Sequence, residues 1–347
     1  MRAIMIASCA MAATTASTSL PAQATRAPEF KVARYNIGGD GGTDYLTAEP
    51  GTGRVFISRA THVMVVDGPS GKVIGDIPNT PRVHGIALVA SANHGFTTNG
   101  GDSSVTMFDL KTLAEVKRIP VKVGGLDGIM YDDFTHHVIL TNHSHPGTAV
   151  AIDPVSGEIT GTAELEDTAP EGAASSGTGM LYVNNEGTNT IQVIEGKTMK
   201  IVSSWPITPC EGPTGIAFDR PSMRIFSGCS KTSVVIDAKS GKVVAEIANG
   251  NGVDALGYDP GEKLMYIPAG RDGNVTVVRQ DAPDKYTVVA TVPTMVGAKT
   301  VAVDPVSHAA YVFTPEYGPP PAGATAGPGG RQPRGPVIGG WFIAITH

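Results

Sequence analysis

The sequence is short of charge. Charged residues make up 17% of its 347 positions, against roughly a quarter in average proteins, and the net charge is −6. A polyanion-binding face needs a basic excess, so no nucleic-acid partner is expected. Beyond the N-terminus, no apolar run approaches the roughly 20 residues that a membrane helix requires, so no transmembrane segment is expected. Cofactor signatures are scarce as well. There is no Cys-x-x-Cys-His, which excludes an attached haem, and no Gly-x-Ser-x-Gly elbow or evident Ser, His and Asp set for nucleophilic catalysis. Gly250-x-Gly252-x-x-Ala255 matches a dinucleotide fingerprint on paper but opens no predicted helix, so NAD is not expected. The only tryptophans are Trp205 and Trp341, too few for the regular Trp repeats of quinoprotein dehydrogenases, so PQQ is not expected either.

Turn formers, in contrast, are abundant. There are 43 Gly and 26 Pro, about a fifth of the chain, which excludes coiled coils and long helical bundles. Apolar residues, at 41%, suffice for a sizeable core and exclude general disorder.

Residues 1–24 run from Met1-Arg2 through the short apolar Ile4-Met5-Ile6-Ala7 to Ala22-Gln23-Ala24, which reads as a secretory signal ending in an Ala-x-Ala site. Ile6-Ala7-Ser8-Cys9 resembles an acylation box, but too few apolar residues precede it. The expected location is the periplasm or the extracellular space. Loss of the signal removes Cys9 and leaves Cys210 and Cys229, an even pair in an oxidising compartment, for which a disulfide is the default and a two-thiolate metal site the alternative.

After residue 25 the chain repeats. Residues 215–250 hold four β-rich runs, Gly215 to Asp219, Arg224 to Ser227, Ser233 to Asp237 and Lys242 to Ile247, divided by turn signals. The turn between the third and fourth recurs from Asp67, Asp109, Asp153, Glu195 and Asp237, with a degenerate copy from Arg279, at steps of about 42 residues. A four-stranded unit at that period predicts a β-propeller. Six units end near residue 297 and a seventh begins at Ala298. That last unit has strands at Ala310 to Thr314 and Trp341 to Thr346 but no fourth strand, and the Phe30 to Gly38 segment has the missing strand's pattern. Pairing the two would close an all-β, seven-bladed ring and remove two exposed sheet edges, giving a single domain spanning 25–347. The segment from Ser233 to Val243, Ser-Val-Val-Ile-Asp-Ala-Lys-Ser-Gly-Lys-Val, and its variants resemble the YVTN-type repeat of the YncE-like seven-bladed propellers. The resemblance implies that fold and little about chemistry.

Residues at or just before each innermost strand should ring one mouth of the channel: Asp44, His84, Asp127, Glu171, Glu211, Asp254 and Lys299. The ends of the second strands add Asn99, Asp102, Asn142, His143, His145, Asn185, Glu186, Arg271 and Asp272 on the same face. A Pro- and Gly-rich insertion from Glu316 to Gly340 emerges there too, as a lid or partner-facing arm. Carboxylates so crowded either take up protons or gather round a cation. His84, Asp127, His143 and His145 could make a zinc site, whereas a mainly carboxylate cluster would suit calcium. Polar residues at such positions also serve to bond backbone groups between blades. His62, His94, His136, His137 and His308 fall outside the mouth, at expected surface positions.

Two functions fit. One is a binding protein whose acidic funnel takes a metal ion, a small polar ligand or a protein partner. The other is a metal-dependent enzyme, a lactonase-like hydrolase or a lyase, with Glu171 or Glu211 moving a proton. Oligomeric state is not specified by a closed ring.

Overall fold

The structure, a computed structural model, describes residues 29–325 and 333–347. The expected leader and Cys9 lie outside the described residues. Seven four-stranded antiparallel sheets form the blades. Their innermost strands, from blade one to blade seven, are Leu46–Ala48, Val83–Val89, Leu126–Asp132, Pro170–Ser175, Ile216–Asp219, Gly257–Asp259 and Val301–Asp304. Each touches the next, and the seventh touches the first. Lys31–Asn36 pairs with the last strand in the register Lys31↔Thr346 to Asn36↔Trp341, which closes the ring as expected.

Strand position dictates composition. The two middle strands of a blade are covered on both faces by neighbouring blades, so they read as continuous apolar runs. Val234, Val235 and Ile236 are all buried. The outermost strands face solvent on one side and alternate, as in Lys200–Pro206. The buried apolar residues fall into seven clusters, each spanning one junction between adjacent blades. Aromatic pairs recur at these junctions, including Phe226 with Tyr258 at 4.8 Å and Phe56 with Phe108 at 6.0 Å.

The repeated turn has a local physical cause. Asp237 Oδ1 accepts from the Lys239 and Ser240 amides and the Ser240 hydroxyl, and Gly241 then takes φ +71°, the left-handed region open to glycine. Asp153 makes the same turn with Val155 and Ser156.

The structure corrects the extent of the insertion. Ala309–Tyr317 and Val337–Thr346 continue their ladder through Glu316↔Gly339 to Tyr317↔Val337, so the segment expected to be irregular from Glu316 to Gly340 begins and ends as paired strand. Residues 326–332 of the insertion lie outside the described residues. Cys210 and Cys229 lie at disulfide distance, with Cα atoms 5.6 Å apart. Among the described residues, no helix is long and apolar enough to cross a membrane.

Candidate functional site: a chain of alternating charges around the channel mouth

In blades two to five, the residue at the channel mouth directly precedes a glycine: His84-Gly85, Asp127-Gly128, Glu171-Gly172 and Thr214-Gly215. At Gly128, a Cβ would lie 2.9 Å from the Glu171 carbonyl oxygen, so only glycine lets the next blade approach this closely. In blade five the position belongs to Thr214, which is buried and bonds the Val253 carbonyl. Glu211, expected in the ring, is instead exposed on the funnel wall three residues earlier. The ring therefore carries four carboxylates rather than five.

Those carboxylates alternate with cations. Asp254 pairs with Lys299. Lys299 Nζ donates to Asp44 Oδ1 at 3.0 Å, and His84 Nδ1 lies 2.6 Å from Asp44 Oδ2. His84 Nδ1 is also 3.7 Å from Asp127 Oδ1. His143 Nε2 lies 3.3 Å from Asp127 Oδ2 and 3.2 Å from Glu171 Oε1. Tyr45 ends the chain, its hydroxyl donating to Glu171 Oε2 at 3.3 Å.

Each group responds to its neighbours. Burial raises the Asp127 carboxyl, and the charges of Glu171 and Asp44 push it further, to about 7, against the pull of His84 and His143. The Glu171 hydrogen bond, opposed by burial and helped by the Asp127 charge, lifts His143 to about 9. Burial works against the His84 imidazolium, but its Asp44 hydrogen bond and the Asp127 charge prevail and raise its pKa. Burial would raise Asp44, yet His84 and Lys299 outweigh it and hold it below the ordinary carboxyl value. Burial also opposes the Lys299 charge, and Asp254 and Asp44 more than restore it. The crowded carboxylates are thus answered by the protein's own cations.

Two groups of metal-ligand type emerge, sharing one member. Asp44, His84 and Asp127 form one, and Asp127, His143 and Glu171 the other. Within each, the donor atoms lie within 4.8 Å of one another. His145, expected as a ligand, belongs to neither and is exposed, so the expected quartet of His84, Asp127, His143 and His145 does not assemble. Asp127 Oδ1 is sealed from solvent without a hydrogen-bond partner among the described residues.

A cavity of about 1060 Å³ opens beside this chain over blades four to seven. Its wall includes Glu186, Glu211, Asp254, Arg271, Lys299 and Tyr317. Burial, then the charges of Glu171 and Asp254, raise the Glu186 pKa. Arg334, across the insertion from Tyr317, also lines the cavity and donates to the Tyr317 hydroxyl at 3.2 Å. Below the ring, a smaller space of about 160 Å³ is lined by aliphatic residues such as Leu46, Ile86, Leu256 and Val301 together with Tyr45 and Thr47.

The second-strand asparagines do not reach the funnel. Asn99 is fully buried and donates to Ser104 and Thr106. Asn142 is spent likewise on Thr148, and Asn185 on Thr190 and Gln192. These amides tie second strands to third strands within their own blades. Asp102 is exposed and pairs with Arg118, and Asp272 bonds Asn251. Outside the mouth, His94 and His308 are only half-buried, anchored at Pro154 and Asp259, rather than free on the surface. Sequence reasoning missed Tyr45 and Thr214. The polar residue followed by glycine and an aliphatic residue was the signal that marks the slot for Thr214.

No family model matches the chain, and no curated protein sequence matches it. Solved structures do match. The chain is 18% identical to a chain of Kuenenia stuttgartiensis hydrazine synthase, with a TM-score of 0.69 over 80% of this chain and 93% of that one. The WD40 repeats of RRP9 match at 9% identity and TM-score 0.74, covering 92% of this chain and 100% of the other. A chain of the mitotic checkpoint complex matches at 16% identity and TM-score 0.66, covering 89% and 95%. At such identities the likeness is one of fold, and the fold it establishes is the seven-bladed β-propeller.

Proposed function

We propose that this chain is a secreted propeller of the YVTN-repeat, YncE-like type whose funnel binds a divalent metal ion at the Asp127 cluster and a small polar ligand in the adjoining cavity. In this reading residues 1–24 are removed and 25–347 act as one domain. The single observation that carries the metal site is Asp127, a buried carboxylate shared by two three-residue donor groups, with one oxygen left without a partner. An ionised oxygen so placed is costly unless something completes it. Two imidazole nitrogens among the donors favour zinc or a similar transition metal over calcium. Secretion is supported by the leader composition and by the cysteine pair at disulfide distance.

Metal analysis of protein purified without chelators tests the reading. Stoichiometric metal, lost in Asp127→Ala, is expected. Metal-free protein whose thermal stability is unmoved by added zinc, manganese or calcium would refute it.

A metal-dependent hydrolase or lyase is the second reading, and Glu186 favours it. That carboxyl lies on the cavity wall outside both donor groups, and burial with the charges of Glu171 and Asp254 raises its pKa above the ordinary carboxyl value, the direction that favours a proton donor. Glu211, on the same wall, is the other candidate. Turnover of lactones or activated esters, abolished in Glu186→Gln, would select the enzyme over the binder.

A further inference from the structure

The geometry points to a two-ion centre, in which the Asp127 carboxylate bridges two divalent cations of the zinc and manganese class. The inference rests on the metal-binding reading above and adds its stoichiometry and bridge. The two donor groups share only Asp127. Its oxygens diverge, Oδ1 toward His84 Nδ1 at 3.7 Å and Oδ2 toward His143 Nε2 at 3.3 Å. The first distance is too long for a hydrogen bond, and Oδ1 has no other partner among the described residues.

The flanking carboxylates are arranged to match. Asp44 is held at Oδ1 by Lys299, which leaves Oδ2 on the His84 side. Glu171 is held at Oε2 by the Tyr45 hydroxyl, which leaves Oε1 on the His143 side. Each outer carboxylate is thus oriented through one oxygen by a residue outside the cluster and offers the other oxygen inward. This is the arrangement by which outer partners fix metal ligands. Each half supplies one nitrogen and two carboxylate oxygens, a set suited to zinc, manganese or ferrous iron. Three protein donors leave each ion open positions for water or a ligand. Lys299 belongs both to this chain of contacts and to the wall of the 1060 Å³ cavity, so a ligand in the cavity sits beside the centre. Two ions bridged by a carboxylate at about 3.5–4 Å separation clamp a substrate oxygen pair in a way one ion does not.

The test is titration of chelator-treated, full-length mature protein with Mn²⁺ and with Zn²⁺, by calorimetry and, for Mn²⁺, by electron paramagnetic resonance. The expected result is two ions per chain and an exchange-coupled Mn²⁺ spectrum. His84→Ala and His143→Ala should each retain one ion and lose the coupling. One ion per chain in the wild type, or two ions without coupling, overturns the bridge and leaves the metal-binding reading standing. No bound ion overturns both. The wild-type stoichiometry and spectrum decide the matter even if a variant fails to fold.

Discussion

Tyr45 stands in blade one and Glu171 in blade four, 126 positions apart, yet the phenolic hydroxyl donates to Glu171 Oε2 at 3.3 Å across the channel. This contact leaves Glu171 Oε1 facing His143, and Tyr45 also lines the smaller space below the ring. Burial and the surrounding carboxylates raise the Tyr45 pKa, so the hydroxyl keeps its proton and remains a donor. Tyr45→Phe should weaken zinc binding about tenfold, the lower range for loss of an outer-sphere partner, with the circular dichroism spectrum unchanged. Unaltered affinity would show that Tyr45 does not orient Glu171.

Stability and metal affinity should respond to pH in opposite directions. Asp127 rises from an ordinary 3.8 to about 7 and His143 from 6.5 to about 9 on folding. Between the unfolded and folded values of each, the folded chain binds the extra proton. The stabilisation from these two groups is therefore complete at low pH and is lost as pH climbs through about 7 and then about 9. The melting temperature of metal-free protein should fall from pH 6 to pH 9. Zinc affinity should rise over the same range, because the metal must displace those protons. A double variant, Asp127→Asn with His143→Gln, should flatten the stability profile of the metal-free protein.

Arg59 is the largest fully buried side chain, and among the described residues it forms no salt bridge. Its guanidinium donates to the carbonyls of Gly38 and Gly41 and lies 4.7 Å from the Phe313 ring, clamping the link between the closing strand and blade one. Burial lowers its pKa to about 10, still high enough to keep the charge at neutral pH. Arg59→Ala should cost about 3 kcal/mol, read by urea denaturation, since it strands both carbonyls and opens a cavity. A cost under about 1 kcal/mol would mean that water replaces the clamp.

Removing residues 30–36 from the chain should expose the open edge of Val337–Thr346 and uncover Ile343 and Ile345. A fall in melting temperature of about 10 °C or more and concentration-dependent self-association are expected, measured by calorimetry and light scattering. Unchanged stability would deny the strand its closing role.

Cys210 and Cys229 enclose a short loop, with a sequence separation of 19. Replacing both with Ser should destabilise the oxidised protein by about 3 kcal/mol, as chain-entropy arguments give for loops of that length. The unreduced protein should show neither thiol to an alkylating reagent.

The architecture is legible in the repeat because its turns are local. In the Asp-x-x-Ser-Gly turns from Asp153 and Asp237, one carboxylate bonds amides two and three residues ahead, and a left-handed glycine follows. Such information is contained in a few consecutive residues, so the blade count followed from sequence alone, as did closure by the Phe30 to Gly38 segment, of which Lys31–Asn36 is the paired strand. So did the approximate place of Asp44, His84, Asp127, Asp254 and Lys299, because each lies beside an inner strand. Glu211 fell three residues outside its slot because blade five enters its inner strand with Thr214, a polar residue without charge. Asn99 and Asn142 were misplaced because strand alternation specifies a face only once the neighbouring blades are positioned, and both faces of a middle strand are covered. What the tertiary structure alone decided is the order of charges around the mouth. His143 follows a second strand, and Tyr45 crosses to another blade. Their hydrogen bonds join residues up to 255 positions apart, as between Asp44 and Lys299, and depend on side-chain directions that no local pattern encodes.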